Sequence, residues 1–351
     1  LLLAGNGPRL FATIGVTSMS ALLSVRALIK HFPVRRSLWR RIAGQVRAVD
    51  GISFDVERGE TLGLVGESGC GKTTAGRCIV RLLRPSSGNI LFGDVDLVTL
   101  TETQLKPFRR RIQMIFQDPQ SSLNPRMTVG DVVGEPLRIH RLATGGELED
   151  RVAALLGAVG LQPGDMRRYP HAFSGGQRQR IGIARALSLD PELIVADEPV
   201  SALDVSVQAQ ILNLLAELRE QRHFSCIFIA HNLSVVKHVS RRVAVMYAGR
   251  IVESGPVESL YARPRHPYTE ALLSAVPVPD PLIQKRRERI RLQGDTPDPA
   301  ELPPGCAFHP RCVYAADVCR RETPVLREME LGVEAACHLT DTLDLKGVKS
   351  D

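Results

Sequence analysis

Residues Gly66 to Thr73, reading Gly-Glu-Ser-Gly-Cys-Gly-Lys-Thr, restrict the possible folds of this chain more than any other stretch. They fit the pattern G-x-x-x-x-G-K-[ST] in full, a turn whose backbone N–H groups point inward at phosphate oxygens. Glu60-Thr-Leu-Gly-Leu-Val65 before it has the apolar character of a short buried strand. Thr73 to Leu83 after it has the character of a helix. A helix that opens at such a turn adds the positive end of its dipole to the amides. A chance glycine-rich turn would not sit between a strand and a helix in this way. Gly66, Glu67, Ser68, Gly69, Cys70, Gly71, Lys72, Thr73 and Thr74 are therefore the expected nucleotide-binding residues. Lys72 is expected on the β- and γ-phosphates of ATP, and Thr73 on Mg²⁺.

A second element fits the same chemistry. Leu193-Ile-Val-Ala196 is a fully apolar short strand that ends in Asp197 and Glu198. Such strands, buried on both faces, belong in parallel sheets. Asp197 is placed to hold the metal, and Glu198 to polarise the attacking water as general base. Phe173-Ser-Gly-Gly-Gln177 then adds another glycine-rich turn that opens another helix, running from Gln177 to Leu187. By the same physics it is a second anion site. One nucleotide does not need two such sites from one chain, so the economical arrangement is a head-to-tail pair. In that pair this loop closes over the ATP held by the other subunit.

At this point the chain resembles the ABC-type ATPases, whose signature is the Ser174-Gly175-Gly176-Gln177 sequence. The resemblance covers about residues 21–257 and implies further roles. Gln117, in Ile115-Phe-Gln-Asp118, matches the glutamine that contacts Mg²⁺ and water and links ATP to the helical insert. Ser201, Ala202, Leu203 and Asp204 match the loop that lies along the dimer seam. His231 matches the histidine that senses the γ-phosphate. Phe32 matches the aromatic that stacks on adenine, with Trp39 competing because of the insertion over residues 33–45.

Apolar runs at Ser24–Ile29, Ile52–Val56, Thr61–Val65 and Asn89–Phe92 predict strands. Amphipathic stretches at Val129–Ile139 and Leu148–Val159 predict a helical insert spanning about residues 119–185. Val207–Arg219 reads as helix, with buried strands at Cys226–Ala230 and Arg242–Met246. Strands alternating with helices predict an α/β, three-layer P-loop NTPase (RecA-like) core with an antiparallel β edge and a helical subdomain. The ATPase domain is expected over residues 19–258. Residues 1–18 are expected to be a non-native extension ahead of a translation start at Met19, which directly precedes the first strand-like run.

Residues 259–351 change character: prolines break the chain into short pieces, and four of the seven cysteines lie there. Cys306, Cys312, Cys319 and Cys337 could tie such a segment together around a metal. Their spacing leaves Zn²⁺ and an iron–sulfur cluster open. Cys70, Cys78 and Cys226 read as small buried or loop residues.

The 351 residues carry a net charge of +7, which permits an anionic partner without identifying one. The basic run Lys285–Arg291 reads most simply as a solvated face, and no nucleic-acid partner is expected. No apolar run reaches the roughly 18–20 residues that span a bilayer. An exporter would usually carry its span in the same chain, and ribosome-acting members are similar to two fused units. Repair members place a long insertion between loop and signature. The expectation that remains is the separate ATPase subunit of a transporter, at the cytoplasmic face of the membrane.

Finer resemblance is to the oligopeptide and dipeptide importer group, which implies di- or oligopeptides as the cargo. It rests on Asp118-Pro-Gln-Ser-Ser-Leu-Asn-Pro-Arg-Met127, His266-Pro-Tyr-Thr-Glu-Ala-Leu-Leu273, Gly294-Asp-Thr-Pro and Leu302-Pro-Pro-Gly-Cys-Ala-Phe-His-Pro-Arg-Cys312. It implies a second ATPase subunit, two permease subunits, an extracytoplasmic solute-binding protein and a [4Fe–4S] cluster at the four cysteines. Nickel or another small solute is the alternative cargo, and a soluble nucleic-acid ATPase is the alternative class.

Overall fold

A computed structural model describes residues 21–35, 42–276, 289–330 and 332–348. The expected upstream extension, Trp39 and residues 285–288 of the basic run lie outside them. Two sheets organise the chain. The first is antiparallel, in the order β2-β1-β4-β5, from β1 (Ala21–Arg35), β2 (Ile42–Glu57), β4 (Ser87–Phe92) and β5 (Val95–Asp96). It is the expected antiparallel edge.

The second sheet has eight strands in the order β11-β12-β10-β9-β3-β8-β7-β6. Its centre is β3 (Thr61–Val65), parallel to both β8 (Ser225–Ala230) and β9 (Arg242–Tyr247). β7 (Leu193–Asp197) follows β8, and β6 (Ile112–Ile115) follows β7, both parallel. β3, β7 and β8 are buried at every residue, which is why they read as unbroken apolar runs rather than alternating ones. Leu62, Leu64 and Val65 are at most 1% exposed, and each such side chain contributes about 1.5–3 kcal/mol.

Helices cover the parallel sheet. α1 (Lys72–Ile79) leaves the phosphate loop and packs on β1, β2, β7 and β8. It ends four residues earlier than its apolar pattern suggests, because Arg81 turns the chain into the left-handed region at φ 56°. α2 (Glu102–Arg111) is a helix the apolar pattern did not announce. Only Leu105 of it is buried, and Thr101 and Gln104 begin it with a capping box.

Inserted between β6 and β7 are α3 (Pro119–Ser122), α4 (Val129–Ile139), α5 (Gly145–Ala158) and α6 (Gly175–Leu187). α4 packs on α5 and α6 through Val133, Leu137, Leu148, Val152 and Ile181, all buried. α7 (Val205–Arg222) and α8 (Leu233–Val239) complete the alternation.

The chain then departs from a simple tail. β10 (Arg250–Pro256) pairs antiparallel with β9, and α9 (Val257–Ala262) and α10 (Pro267–Ser274) follow. After α11 (Asp317–Arg321), the hairpin of β11 (Arg327–Glu330) and β12 (Val333–Ala335) returns to the sheet. β12 pairs with β10 through Glu253 and Ala335, so the extension prolongs the main sheet. Phe308 and Tyr268, at 2% and 0% exposed, belong to the same apolar cluster as the parallel strands. A Pro-rich segment without much core of its own thus borrows the core of its neighbour.

Candidate functional site

The loop of residues 66–73 leaves β3 at its carboxyl end, where open α/β sheets bind ligands. Gly71 is the residue before α1 and sits at φ 106°, outside the range of ordinary side chains. A Cβ there would stand 1.9 Å from the Ala48 carbonyl oxygen, so only glycine fits. Lys72 is 4% exposed and its ammonium donates to the carbonyls of Gly66 and Glu67 at 2.7 and 2.8 Å.

The Thr73 hydroxyl donates to Asp197 Oδ1 at 2.8 Å, joining the loop to the end of β7. Asp197 is 1% exposed. Burial pushes its carboxyl above the ordinary carboxylate range, opposed by the Thr73 hydrogen bond. Among the described residues its Oδ2 is buried without a hydrogen-bond partner. An orphaned carboxylate oxygen beside a threonine hydroxyl is the donor set a hard, oxygen-seeking cation takes, so the expected Mg²⁺ fits here.

Glu198 follows with φ 43°, an uncommon conformation for a residue other than glycine. Its amide is held by the Ile229 carbonyl at 3.0 Å, and its Oε2 accepts from Gln117 Nε2 at 3.0 Å. His231 Nδ1 is 3.4 Å from the same oxygen. The Glu198 side chain is 12% exposed and that of His231 54%, so one is fixed and the other free to move. Three residues taken from the ends of β6, β7 and β8 thus meet at one carboxylate oxygen. Ser201 leads the seam loop by donating its hydroxyl to the Glu198 carbonyl at 3.1 Å. Asp204 is the residue before α7.

The signature makes its hydrogen bonds within itself rather than to this cluster. Ser174 begins α6, accepting from the Gln177 amide at 3.3 Å, while Gln177 Oε1 accepts from the Ser174 amide at 3.0 Å. Its glycines allow close packing: a Cβ on Gly176 would meet Val207 at 2.6 Å, and one on Gly175 would meet Leu203 at 3.4 Å. α6 also reaches the glutamine segment. Arg185 donates to the Ser122 carbonyl at 2.6 Å, and its guanidinium lies 5.6 Å from the Phe116 ring centre. Beside that link is a groove of about 620 Å³ lined by Arg77, Leu82, Phe116, Gln117, Glu135 and Arg185.

Phe32 is half-buried on β1 opposite Val46, and the Lys30 ammonium covers one face of its ring at 4.8 Å. Cys70, Cys78 and Cys226 are buried.

The metal expected at the four cysteines gains no support from the side-chain positions. Among the described residues no three His, Cys, Asp or Glu side chains are arranged to hold a metal ion. Cys306, Cys312, Cys319 and Cys337 nevertheless lie close enough for their thiols to influence one another, and the Cys306 amide donates to the Cys319 carbonyl at 2.8 Å. Burial, with a smaller contribution from the neighbouring thiols, pushes Cys306 and Cys312 up to about 11. Cys337 is raised by burial as well.

The comparisons with known proteins identify the family. The ABC transporter family profile matches residues 49–201, and the profile for the oligopeptide/dipeptide transporter C-terminal region matches residues 252–319. The chain is 52% identical over 323 residues to the oligopeptide transport ATP-binding protein AppF of Bacillus subtilis, covering 92% of this chain and 98% of that one. This chain belongs to the ABC transporter ATP-binding family. It is also 51% identical to a probable peptide ABC transporter ATP-binding protein of Sinorhizobium fredii, covering 91% of this chain and 90% of that protein.

Among solved structures, a dimeric ATP-binding cassette in a post-hydrolysis state with ADP and Pi is 26% identical, with a TM-score of 0.60. That match covers 67% of this chain and 98% of the other. As a member of the family, the chain is an ATPase of the P-loop fold. No helix among its described residues is long and apolar enough to cross a membrane.

Sequence reasoning missed two contacts of the loop. Glu67 of the loop is bonded to Tyr268 and Arg311 of the extension, at 2.8 Å from its amide and 2.6 Å from its carboxylate. Tyr268 lies in the His266–Leu273 segment and Arg311 in the Leu302–Cys312 segment, both visible as motifs. Nothing in their spacing says that they touch the loop.

Proposed function

We propose that this chain is the ATP-hydrolysing subunit of an importer for di- or oligopeptides, working at the cytoplasmic face of a membrane. The observation that carries this reading is that one chain holds two anion-ready turns with no hydrogen bond between them among the described residues. The loop at 66–73 and the Glu198 cluster form one side of a nucleotide site, while Ser174–Gln177 opens α6, bonded to itself. A head-to-tail pair of ATPase subunits completes two sites by placing each signature over the other subunit's nucleotide. The family resemblance to a dimeric cassette supports the pairing, and the names of the relatives support the peptide cargo.

In that pair Lys72 and the amides of the loop bind the ATP phosphates. Thr73, Asp197 and Gln117 would hold Mg²⁺, which would supply positive charge against the phosphates. Glu198 takes a proton from the attacking water, and His231 turns toward the γ-phosphate. Closure is transmitted from Gln117 through the Phe116, Ser122 and Arg185 contacts to the helical insert. The groove of about 620 Å³ beside Gln117 is the seat for a permease segment. Phe32 stacks on adenine, which requires Lys30 to swing from one face of its ring.

Purification from the native membrane tests the reading. The chain should co-purify with two hydrophobic permease subunits, and ATP-driven uptake of labelled peptide into vesicles should need it. Uptake of nickel but not peptide would move the cargo to the alternative. Salt-sensitive stimulation of the ATPase by nucleic acid would replace the class. For the four cysteines the finer proposal is a [4Fe–4S] cluster, supported by their convergence. Iron–sulfur absorbance in anaerobically purified protein would support it, and colourless protein would end it.

A further inference from the structure

Glu67 is the second residue of the phosphate loop, and the structure holds it from three directions. Its carbonyl accepts from the Lys72 ammonium at 2.8 Å. Its amide donates to the Tyr268 hydroxyl at 2.8 Å, so this amide faces the extension. Its carboxylate receives a two-pronged contact from Arg311, with Nη1 to Oε2 at 2.6 Å and Nη2 to Oε1 at 3.1 Å. Two parallel charged hydrogen bonds fix a carboxylate in direction as well as distance.

The other end of this contact is equally fixed. The Arg311 side chain is 8% exposed, against 28% for Glu67. Its Nη1 also reaches the Tyr247 hydroxyl at 3.4 Å. Tyr247, Tyr268 and Phe308 pack ring on ring, with centres 4.6, 5.2 and 5.4 Å apart. Arg311 rides on a tight turn in which its amide donates to the Phe308 carbonyl at 3.0 Å. His309 in turn donates to the Cys306 carbonyl at 3.0 Å. The guanidinium is thus presented by a packed aromatic platform, not by a mobile surface chain.

We infer that Arg311, with Tyr268, is a positioning residue for ATP: the extension is a strut that holds the phosphate loop in its binding shape. The strut acts through Glu67, whose carbonyl meets the lysine that the loop aims at the phosphates. It grips the loop whether or not the chemistry has begun, so it contributes equally to ground-state and transition-state binding. Loss of such an interaction raises KM and leaves kcat in place. A charged two-pronged hydrogen bond is strong enough for its loss to weaken Mg-ATP binding by about ten- to hundredfold.

The inference rests on the reading of residues 66–73 as the nucleotide loop, and the test separates the two. Mg-ATP binding to the full chain is measured by calorimetry, and KM and kcat on the assembled transporter. If the unaltered chain does not bind Mg-ATP, the reading of the loop fails first and the strut falls with it. If it binds, Arg311→Ala should raise Kd and KM about ten- to hundredfold with kcat changed less than about threefold. Arg311→Lys, which keeps the charge but not the fork, should recover part of the loss.

Glu67→Gln should give a similar rise, and the double variant should be no worse than either single one. Should Arg311→Ala fail to fold, Glu67→Gln and Tyr268→Phe carry the same prediction without emptying the platform. Unchanged Kd and KM in those two variants would overturn the strut. A fall in kcat at constant KM, or additive losses in the double variant, would also overturn it.

Discussion

Glu198→Gln is the perturbation that most directly tests the proposed chemistry. The substitution keeps the shape of the side chain. Its amide oxygen can still accept from Gln117, so the 3.0 Å contact has no reason to break. Only the negative charge and the basic oxygen 3.4 Å from His231 are lost. A positioned general base contributes about 10²–10⁴-fold, equivalent to ~3–5 kcal/mol of barrier. ATP binding should hold or tighten, because a carboxylate beside the γ-phosphate repels it.

The expected outcome is a fall in single-turnover hydrolysis by two to four orders of magnitude, on the order of what a base supplies. A dimer that retains uncleaved ATP should accumulate on a sizing column. The assay is release of labelled phosphate, with calorimetric Mg-ATP binding as the control. Hydrolysis within a factor of about three of normal, with binding intact, would remove Glu198 from the role of base.

Gly71→Ala should abolish Mg-ATP binding by calorimetry, since the methyl would stand 1.9 Å from the Ala48 carbonyl at a φ of 106°. Ser174→Ala removes the side-chain cap of α6 at a cost of about 1 kcal/mol. It should leave ATP binding by the isolated chain intact while lowering hydrolysis by the pair, because in the proposed pair the signature closes over the partner's nucleotide.

His266 is fully buried beside Phe308, and burial lowers its pKa to about 3. The unfolded chain therefore binds this proton before the folded one does. The resulting stability is present above about pH 6.5 and is lost as pH falls. From this group urea unfolding loses roughly 1.6 kcal/mol between pH 6.5 and pH 5, while buried Glu253, pushed up to about 7, works in the opposite direction, so the check is the difference between the chain and its His266→Asn variant. His266→Asn can still accept the Tyr268 amide as a helix cap, and should remove that loss.

The nucleotide site was legible because its chemistry is local. A tight turn between a buried strand and a helix needs particular glycines, a lysine and a threonine in one short stretch. β7 was legible for a similar reason: a strand buried on both faces must be apolar throughout, and its end is marked by Asp197 and Glu198. Helix α2 was not legible from its apolar pattern, since it buries only Leu105 and is held by its cap and by exposed ion pairs. The early end of α1 was hidden for another reason. The apolar pattern continues through Leu83, and only the turn at Arg81 stops the helix.

What the sequence determined by itself was the set of parts: a phosphate loop, a strand-end acid pair, a second glycine-rich turn and two motifs beyond the core. Each is a run of neighbouring residues whose backbone conformation and burial leave a mark on residue type. What only the tertiary structure decided was which parts touch. Gln117, Glu198 and His231 meet because three parallel strands end side by side. Arg311 reaches Glu67 across 244 positions because the extension, short of apolar surface, folds onto the core of the ATPase. Contacts of that range are set by packing and sheet order, and a linear pattern carries no record of them.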